Sequence, residues 1–401
     1  MTEPSLADLI TVEQAIQILD AAPVHPRTAV ITLNQALGLR LAQEIKSDRD
    51  YPPFDKSLLD GYAVRSTDTA AAPLQLTIIE TIFAGSAGDK TLGPRQAAAI
   101  MTGAPLPPGA DAVVPIEQTT RTADQVTLSQ PAKAGHGIAR RASDIPAGQI
   151  VLQSGIQIGA AQIAVAASVG ADRVSVFTAP RVAILCTGDE LAPPGQSPSA
   201  AQIRNSNGPM LLALLNRLGC TTTDLGTVGD DPQKITAAIQ TGLDADALFI
   251  SGGMSVGQHD HVPRLLREMG MDLKITKLRM KPGKPFVFAT QNKGFVFGLP
   301  GNPVSAFVCT LRLAARILSR LAGTSPQPLN ESAALTENLP ANGPREFYQP
   351  AIRLGPTVRP LNWKGSADIY TLALANTLII RPASAPPAAA GTTVPLLEIP
   401  S

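Results

Sequence analysis

The chain has 401 residues, too many for one core of ordinary size, so about two to four domains are expected. Apolar residues make up 44% and charged residues 16%, the balance of a soluble globular protein, and a net charge of +1 argues against nucleic-acid or membrane-surface binding. Aromatics are only 4%, with no basic stretch among them, which argues against single-strand binding by base stacking.

The first ten residues lack the basic start and apolar run of a signal peptide. No stretch is apolar for long enough to span a bilayer. Cys186, Cys220 and Cys309 are scattered and read as small core residues in a reducing compartment. A cytoplasmic protein is therefore expected.

The segment from Thr11 to Ala22 reads as a helix. Thr11 and Gln14 can form a capping box, and Val12, Ala15, Ile16 and Leu19 share a face. From Lys46 to Ile145 short apolar runs separated by Gly and Pro predict mostly strand, and helical patterning returns over Gly159 to Ser168. The middle third alternates. Arg181 to Cys186 is a buried strand, Met210 to Leu218 a helix closed by Gly219, and Thr221 to Val228 a strand. Asp231 and Pro232 open another helix, and Ala247 to Ile250 is a further strand. Such alternation predicts a parallel sheet covered on both faces, with ligands beyond the carboxyl ends of its strands. After Leu321 a linker-like run precedes Pro-interrupted alternating segments that predict a small β-barrel. The Pro382 to Ala390 tract reads as a proline-rich loop without chemistry.

The run Leu278 to Ala306 carries the most chemistry. Lys281-Pro-Gly-Lys-Pro285 sets cations beside a rigid turn. Strand-like runs at Phe286 to Ala289 and Phe295 to Phe297 lead to Gly298-Leu-Pro-Gly-Asn-Pro303, a turn opening into a helix with Pro303 at its first position. A strand, a glycine-bearing turn and a helix N-terminus make an anion site, and Lys277, Arg279, Lys281 and Lys284 add charge. Ser251-Gly-Gly-Met-Ser-Val-Gly257 offers backbone N–H groups to a phosphate; packing is the other use of such a turn, and no Walker sequence follows it. Asp189, Glu190, Asp230 and Asp260 fall at strand-end loops and suit a hard cation such as Mg²⁺, although Asp189 and Asp231 are also placed to cap helices. His259 and His261 flank Asp260 but lack a further zinc ligand, and no G-x-S-x-G elbow supports a serine hydrolase. In the first half Asp60 precedes Gly61 in a turn, and Met101 to Glu117 and Arg140 to Pro146 are stiff loops whose task these residues alone do not name.

Together the motifs PPFDKSLLDGYAV (52–64), MTGAPLPPGADAVVP (101–115), RRASDI (140–145), CTGDEL (186–191), GDDP (229–232), SGGMSVGQHD (251–260), KPGKP (281–285) and GLPGNPVS (298–305) resemble, in content and order, the MoeA or molybdopterin molybdenumtransferase family, which is related to the E domain of gephyrin. The likeness spans nearly the whole chain. Two departures change apolar side chains only: Leu58-Leu59 where the family has Ala-Met, and Met254 where it has Val.

The resemblance implies a multidomain α/β protein with four parts. These are an elongated dimerisation subdomain (1–46 and 146–179), an inserted β-rich subdomain (47–145), a MogA-like doubly wound α/β molybdopterin-binding domain (180–323) and a C-terminal β-barrel (324–401). It implies a homodimer that inserts molybdate into adenylylated molybdopterin (molybdopterin-AMP) and releases AMP with Mg²⁺. It also implies that residues of the first half complete the partner's site. Transient contact with a MogA-type adenylyltransferase and with apo-molybdoenzymes is implied as well. Family positions fall here on Asp60, Thr102, Glu190, Asp230 and Asp260 for the reaction, with Glu190, Asp230 and Asp260 toward the metal. Substrate contacts fall on Arg140, Asp144, Ser251, Gly252, Gly253, Ser255, Lys277, Lys281, Lys284, Pro300, Gly301, Asn302, Pro303, Arg345 and Ser366. Two readings compete with the insertase: a molybdopterin adenylyltransferase and a molybdopterin-binding scaffold. The long segment before the α/β domain speaks against the first, and retention of every acidic site position against the second.

Overall fold

The computed structural model describes residues 9–254, 261–291, 294–326 and 328–400. The chain divides into two compact units, 30–176 and 1–29 with 177–401.

The unit 30–176 is built on a six-stranded sheet. Its order is Ala112–Pro115, Gly61–Val64, Gln96–Ile100, Leu74–Ile82, Gln125–Leu128 and Thr119–Thr122. The period of two along Gly61–Val64 divides the core: Tyr62 and Val64 join Leu76, Val126 and Leu128 on one face, while Ala63 joins Ile82, Ile100 and Val113 on the other. Gly61 opens its strand because a Cβ there would overlap the Val114 carbonyl, so only glycine lets the neighbouring strand come this close. That fixes Asp60 at the start of an interior strand. A second core of Leu33, Leu41, Ile158, Ala166, Val174 and Val176 lies under helix Ala160–Ser168.

In the other unit, helix Val12–Ala21 carries the full capping box: Thr11 Oγ1 accepts from Gln14 N–H at 3.1 Å, and the Gln14 side chain accepts from Thr11 N–H at 2.8 Å. Val12, Ala15 and Leu19 are buried. The central sheet runs Thr221–Val228, Arg181–Thr187, Ala247–Ser251, Gly294–Leu299, Val287–Gln291, Asp272–Ile275. Its first four strands are parallel, as alternation predicts, but Val287–Gln291 pairs antiparallel with Gly294–Leu299, so the sheet is mixed. The physical reason is the short connection, which permits a hairpin and not a crossover. Both faces are covered. Val182, Ile184, Phe249 and Phe297 pack with Leu211, Leu215 and the helical run from Pro303 to Leu321, while Ala183, Leu185, Leu248 and Ile250 pack with Ile235, Ile239, Val262 and Leu266.

Asp231 caps helix Pro232–Gly242 as expected, accepting from Gln233 N–H at 2.9 Å. Asp189 does not cap a helix. Its carboxylate accepts the Asp230 N–H at 3.0 Å and ties two strand-end loops together. The C-terminal segment closes a five-stranded barrel of Glu346–Leu354, Thr357–Pro360, Ser332–Leu335, Thr393–Glu398 and Thr377–Arg381. The short strand Met280–Lys281 pairs with the start of Glu346–Leu354, at Glu346 and Phe347, which brings the KPGKP turn to the barrel. All three cysteines are free and buried, and burial raises each thiol pKa, to about 12 for Cys220.

Candidate ligand site

Strands Arg181–Thr187, Ala247–Ser251 and Gly294–Leu299 end side by side, and the loops beyond them surround a cavity of about 390 Å³. Its lining includes Glu190, Ser251, Gly252, Gly253, Pro300, Gly301 and Asn302, all anticipated from the sequence, with Thr187, Asn207 and Pro285 beside them. Gly252 has φ +104°, and a Cβ there would overlap the Thr187 carbonyl, so the loop can pass this strand end only as glycine. Pro303 occupies the first helical position, and Asn302 Nδ2 donates to Ser366 Oγ at 3.0 Å while Val304 N–H donates to the Ser366 carbonyl at 3.1 Å. Ser366, distant in sequence, is thereby bound to the turn.

The pairing of Met280–Lys281 with the start of Glu346–Leu354 places the cations. Lys281 lies opposite Phe347 across the strand pair, with its ammonium 5.0 Å from the ring centroid, a cation–π contact. Trp363 stacks on the same ring at 5.7 Å. Arg345 Nη1 reaches the Met280 carbonyl at 3.5 Å. Lys277 and Lys284 are half-buried and lie on the same segment. Asp230 does not line the cavity; it sits on the next strand-end loop, linked through Asp189. Asp260 and Ser255 lie outside the described residues, as does His259.

Sequence reasoning passed over Asn205 and Asn207, both buried polar residues at the start of helix Asn207–Arg217. Asn205 Oδ1 accepts from Gly208 N–H at 3.0 Å and does the capping. Asn207 turns the other way, donating to Ser251 Oγ and to the Gly301 carbonyl, each at 2.7 Å. Its Oδ1 has no partner, nor has Thr187 Oγ1. Leaving a buried acceptor unmet costs about 1–3 kcal/mol. The signal available was two asparagines flanking a helix start, which alone reads as capping.

Among the described residues no group of three His, Cys, Asp or Glu could hold a metal ion. Glu190 and Asp230 therefore do not form a cage by themselves. The donor chemistry matches Mg²⁺ only in the mode in which one or two carboxylates act with substrate phosphate and water.

The first-half residues form a separate set within their own unit. Asp60 Oδ1 accepts both the Thr102 backbone N–H at 2.7 Å and its hydroxyl at 2.8 Å. These bonds, the backbone one foremost, hold the Asp60 carboxyl below its ordinary range, so it is an anion at neutral pH. Arg140 pairs with Asp55 at 2.6 Å, and Arg141 with Asp50 at 2.6 Å. Asp144 N–H donates to the Tyr51 carbonyl at 3.0 Å, and its side chain accepts from Ser143 Oγ at 3.1 Å. The structure thus brings Asp60 to Thr102 and Arg140 to Asp55, and leaves Asp144 exposed nearby in sequence to both arginines.

A doubly wound α/β domain with glycine-bearing loops at its strand ends is followed by a small barrel. Comparison with known proteins is specific. The MoeA N-terminal region (domain I and II) matches residues 10–170, the probable molybdopterin binding domain residues 183–320, and the MoeA C-terminal region (domain IV) residues 332–399. The chain belongs to the MoeA family. It is 33% identical to the molybdopterin molybdenumtransferase of Bacillus subtilis, covering 97% of this chain and 94% of that one. It is 32% identical to the Staphylococcus aureus protein of the same name, covering 97% and 95%. A crystal structure of the molybdopterin biosynthesis MoeA protein from Pyrococcus horikosii superposes with a TM-score of 0.86 at 30% identity, covering 98% of this chain and 99% of that one.

Proposed function

We propose that the chain is a molybdopterin molybdenumtransferase that inserts molybdate into adenylylated molybdopterin and releases AMP. The observation that carries this reading is the convergence of Glu190, the Ser251-Gly-Gly loop and the Gly301-Asn302-Pro303 turn on one cavity beside the lysine-bearing KPGKP turn. A pterin phosphate joined to AMP is polyanionic, and molybdate is a tetrahedral oxyanion. Backbone N–H groups of the glycine loop and the helix N-terminus suit the phosphate. Lys277, Lys281, Lys284 and Arg345, with the Ser366 hydroxyl, suit the oxyanion. Glu190 in the cavity, with Asp230 on the next strand-end loop and Asp260, accepts the hydrogen bonds or proton of the water, or of a protonated molybdate oxygen, whose attack on phosphorus expels AMP. Mg²⁺, held by these acids together with substrate oxygens, would neutralise charge on the pyrophosphate. Asp60, ionised and held by Thr102, takes part as an acceptor or a base and not as an acid, with Arg140 and Asp144 contributing substrate contacts.

Four subdomains are proposed, with the ranges given by the resemblance; the six-stranded sheet within 47–145 and the barrel within 324–401 support that division. A homodimer is proposed as well, supported by the exposed apolar side chains of Val30, Leu37 and Leu39. No helix among the described residues is long and apolar enough to cross a membrane, which accords with work in the cytoplasm, where apo-molybdoenzymes and a MogA-type adenylyltransferase would be met.

Reconstitution tests the reading. Protein supplied with molybdopterin-AMP, Mg²⁺ and molybdate should activate an apo-molybdoenzyme. ATP-dependent adenylylation of molybdopterin without that activation would transfer the protein to the adenylyltransferase class.

A further inference from the structure

We propose that Asn207 is a positioning residue that sets the spacing between the two loops meeting the substrate's phosphate. The inference rests on the proposed ligand cavity and adds a residue that neither the motifs nor the family resemblance singled out. Asn207 is 8% exposed and begins a helix of 11 residues, yet its side chain does no work for that helix. Asn205 already accepts the Gly208 N–H and also donates to Thr227 Oγ1 at 3.0 Å. Asn207 spends both amide hydrogens on other segments, one on Ser251 Oγ at the end of Ala247–Ser251, the other on the Gly301 carbonyl in the turn after Gly294–Leu299.

A side-chain amide has two N–H donors, so this one is fully committed and cannot rotate without losing both bonds. The amide is thus a strap of fixed length between the two loops. Its Oδ1 is buried without a donor, and Thr187 Oγ1, of a residue lining the same cavity, is unmet as well. Two such atoms on residues of one cavity accord with a site arranged for its ligand. Holding Ser251 and Gly301 apart at one distance keeps the glycine-loop and turn N–H groups aimed at a common point, which favours tight binding of the phosphate before any chemistry.

Asn207→Leu keeps the volume and removes the strap. With molybdopterin-AMP as substrate, KM should rise at least tenfold while kcat falls much less, and the Tm should stay within a few degrees of wild type. Asn205→Ala, which removes the cap, should lower Tm and leave KM unchanged. If Asn207→Leu is insoluble, Asn207→Ser, too short to reach both loops, is read by the same criteria. A soluble Asn207 variant with wild-type KM overturns the proposal, as does a loss of activity that tracks only the folded fraction. Failure of the wild type to bind molybdopterin-AMP would instead remove the functional reading on which the proposal stands.

Discussion

Glu190 lines the cavity on the loop after Arg181–Thr187, and Asp60 is a carboxylate whose one oxygen receives two donors from Thr102. Neither side chain supports a core, so Glu190→Ala and Asp60→Ala should each reduce cofactor formation at least a hundredfold while circular dichroism remains that of wild type, with Tm lowered only for Asp60→Ala, which loses both Thr102 bonds. Wild-type activity in both variants would remove them from the reaction. Asp55 has a structural task. The Arg141 backbone N–H, donating at 2.8 Å, lowers its pKa; partial burial opposes this, and Arg140 assists it. A carboxylate depressed on folding contributes stability that is full above its unfolded pKa of about 3.9 and is lost as pH falls through the lower folded value. Asp55→Asn should therefore unfold at lower denaturant than wild type at pH 7, with the difference shrinking below about pH 4. An equal difference at pH 7 and in acid would show that the ion pair and its backbone bond do not set the effect.

Strand ends decide the site, and Gly252 shows how narrowly. Its positive φ and the overlap a Cβ would make with Thr187 mean that Gly252→Ala must shift the loop. Pterin binding should fall at least tenfold by isothermal titration, and a variant that binds as wild type would show the loop free to move. Elements announced by local chemistry were legible in the sequence: the Thr11–Gln14 capping box, Asp231 before Pro232, and Pro303 at the start of its helix all appear as read. Those signals act over a single turn of chain. The antiparallel entry of Val287–Gln291 follows from its short connection to Gly294–Leu299, a local feature that the alternation of strands and helices masks; the attachment of Met280–Lys281 to the barrel depends on what a strand meets after folding, and no local pattern records that. Asn207 escaped for the same reason. Its partners lie 44 and 94 residues away, and at its own position it resembles a second cap.

At the scale of the molecule, two units each carry one group of candidate residues: Asp60, Thr102, Arg140 and Asp144 in one, Glu190, the glycine loop, the lysines and Ser366 in the other. The motifs alone gave a charge preference; their order along the chain, matched by family regions covering 10–170, 183–320 and 332–399, gave the family. A homodimer should appear in light scattering as twice the 41.7 kDa of one chain, and a stable monomer at micromolar concentration would contradict it. The insertase reading itself is tested most directly by AMP release. Purified protein loaded with molybdopterin-AMP and Mg²⁺ should release AMP when molybdate is added and should retain it without molybdate. Bound pterin with no AMP released in either case would contradict the account and leave a molybdopterin-binding scaffold.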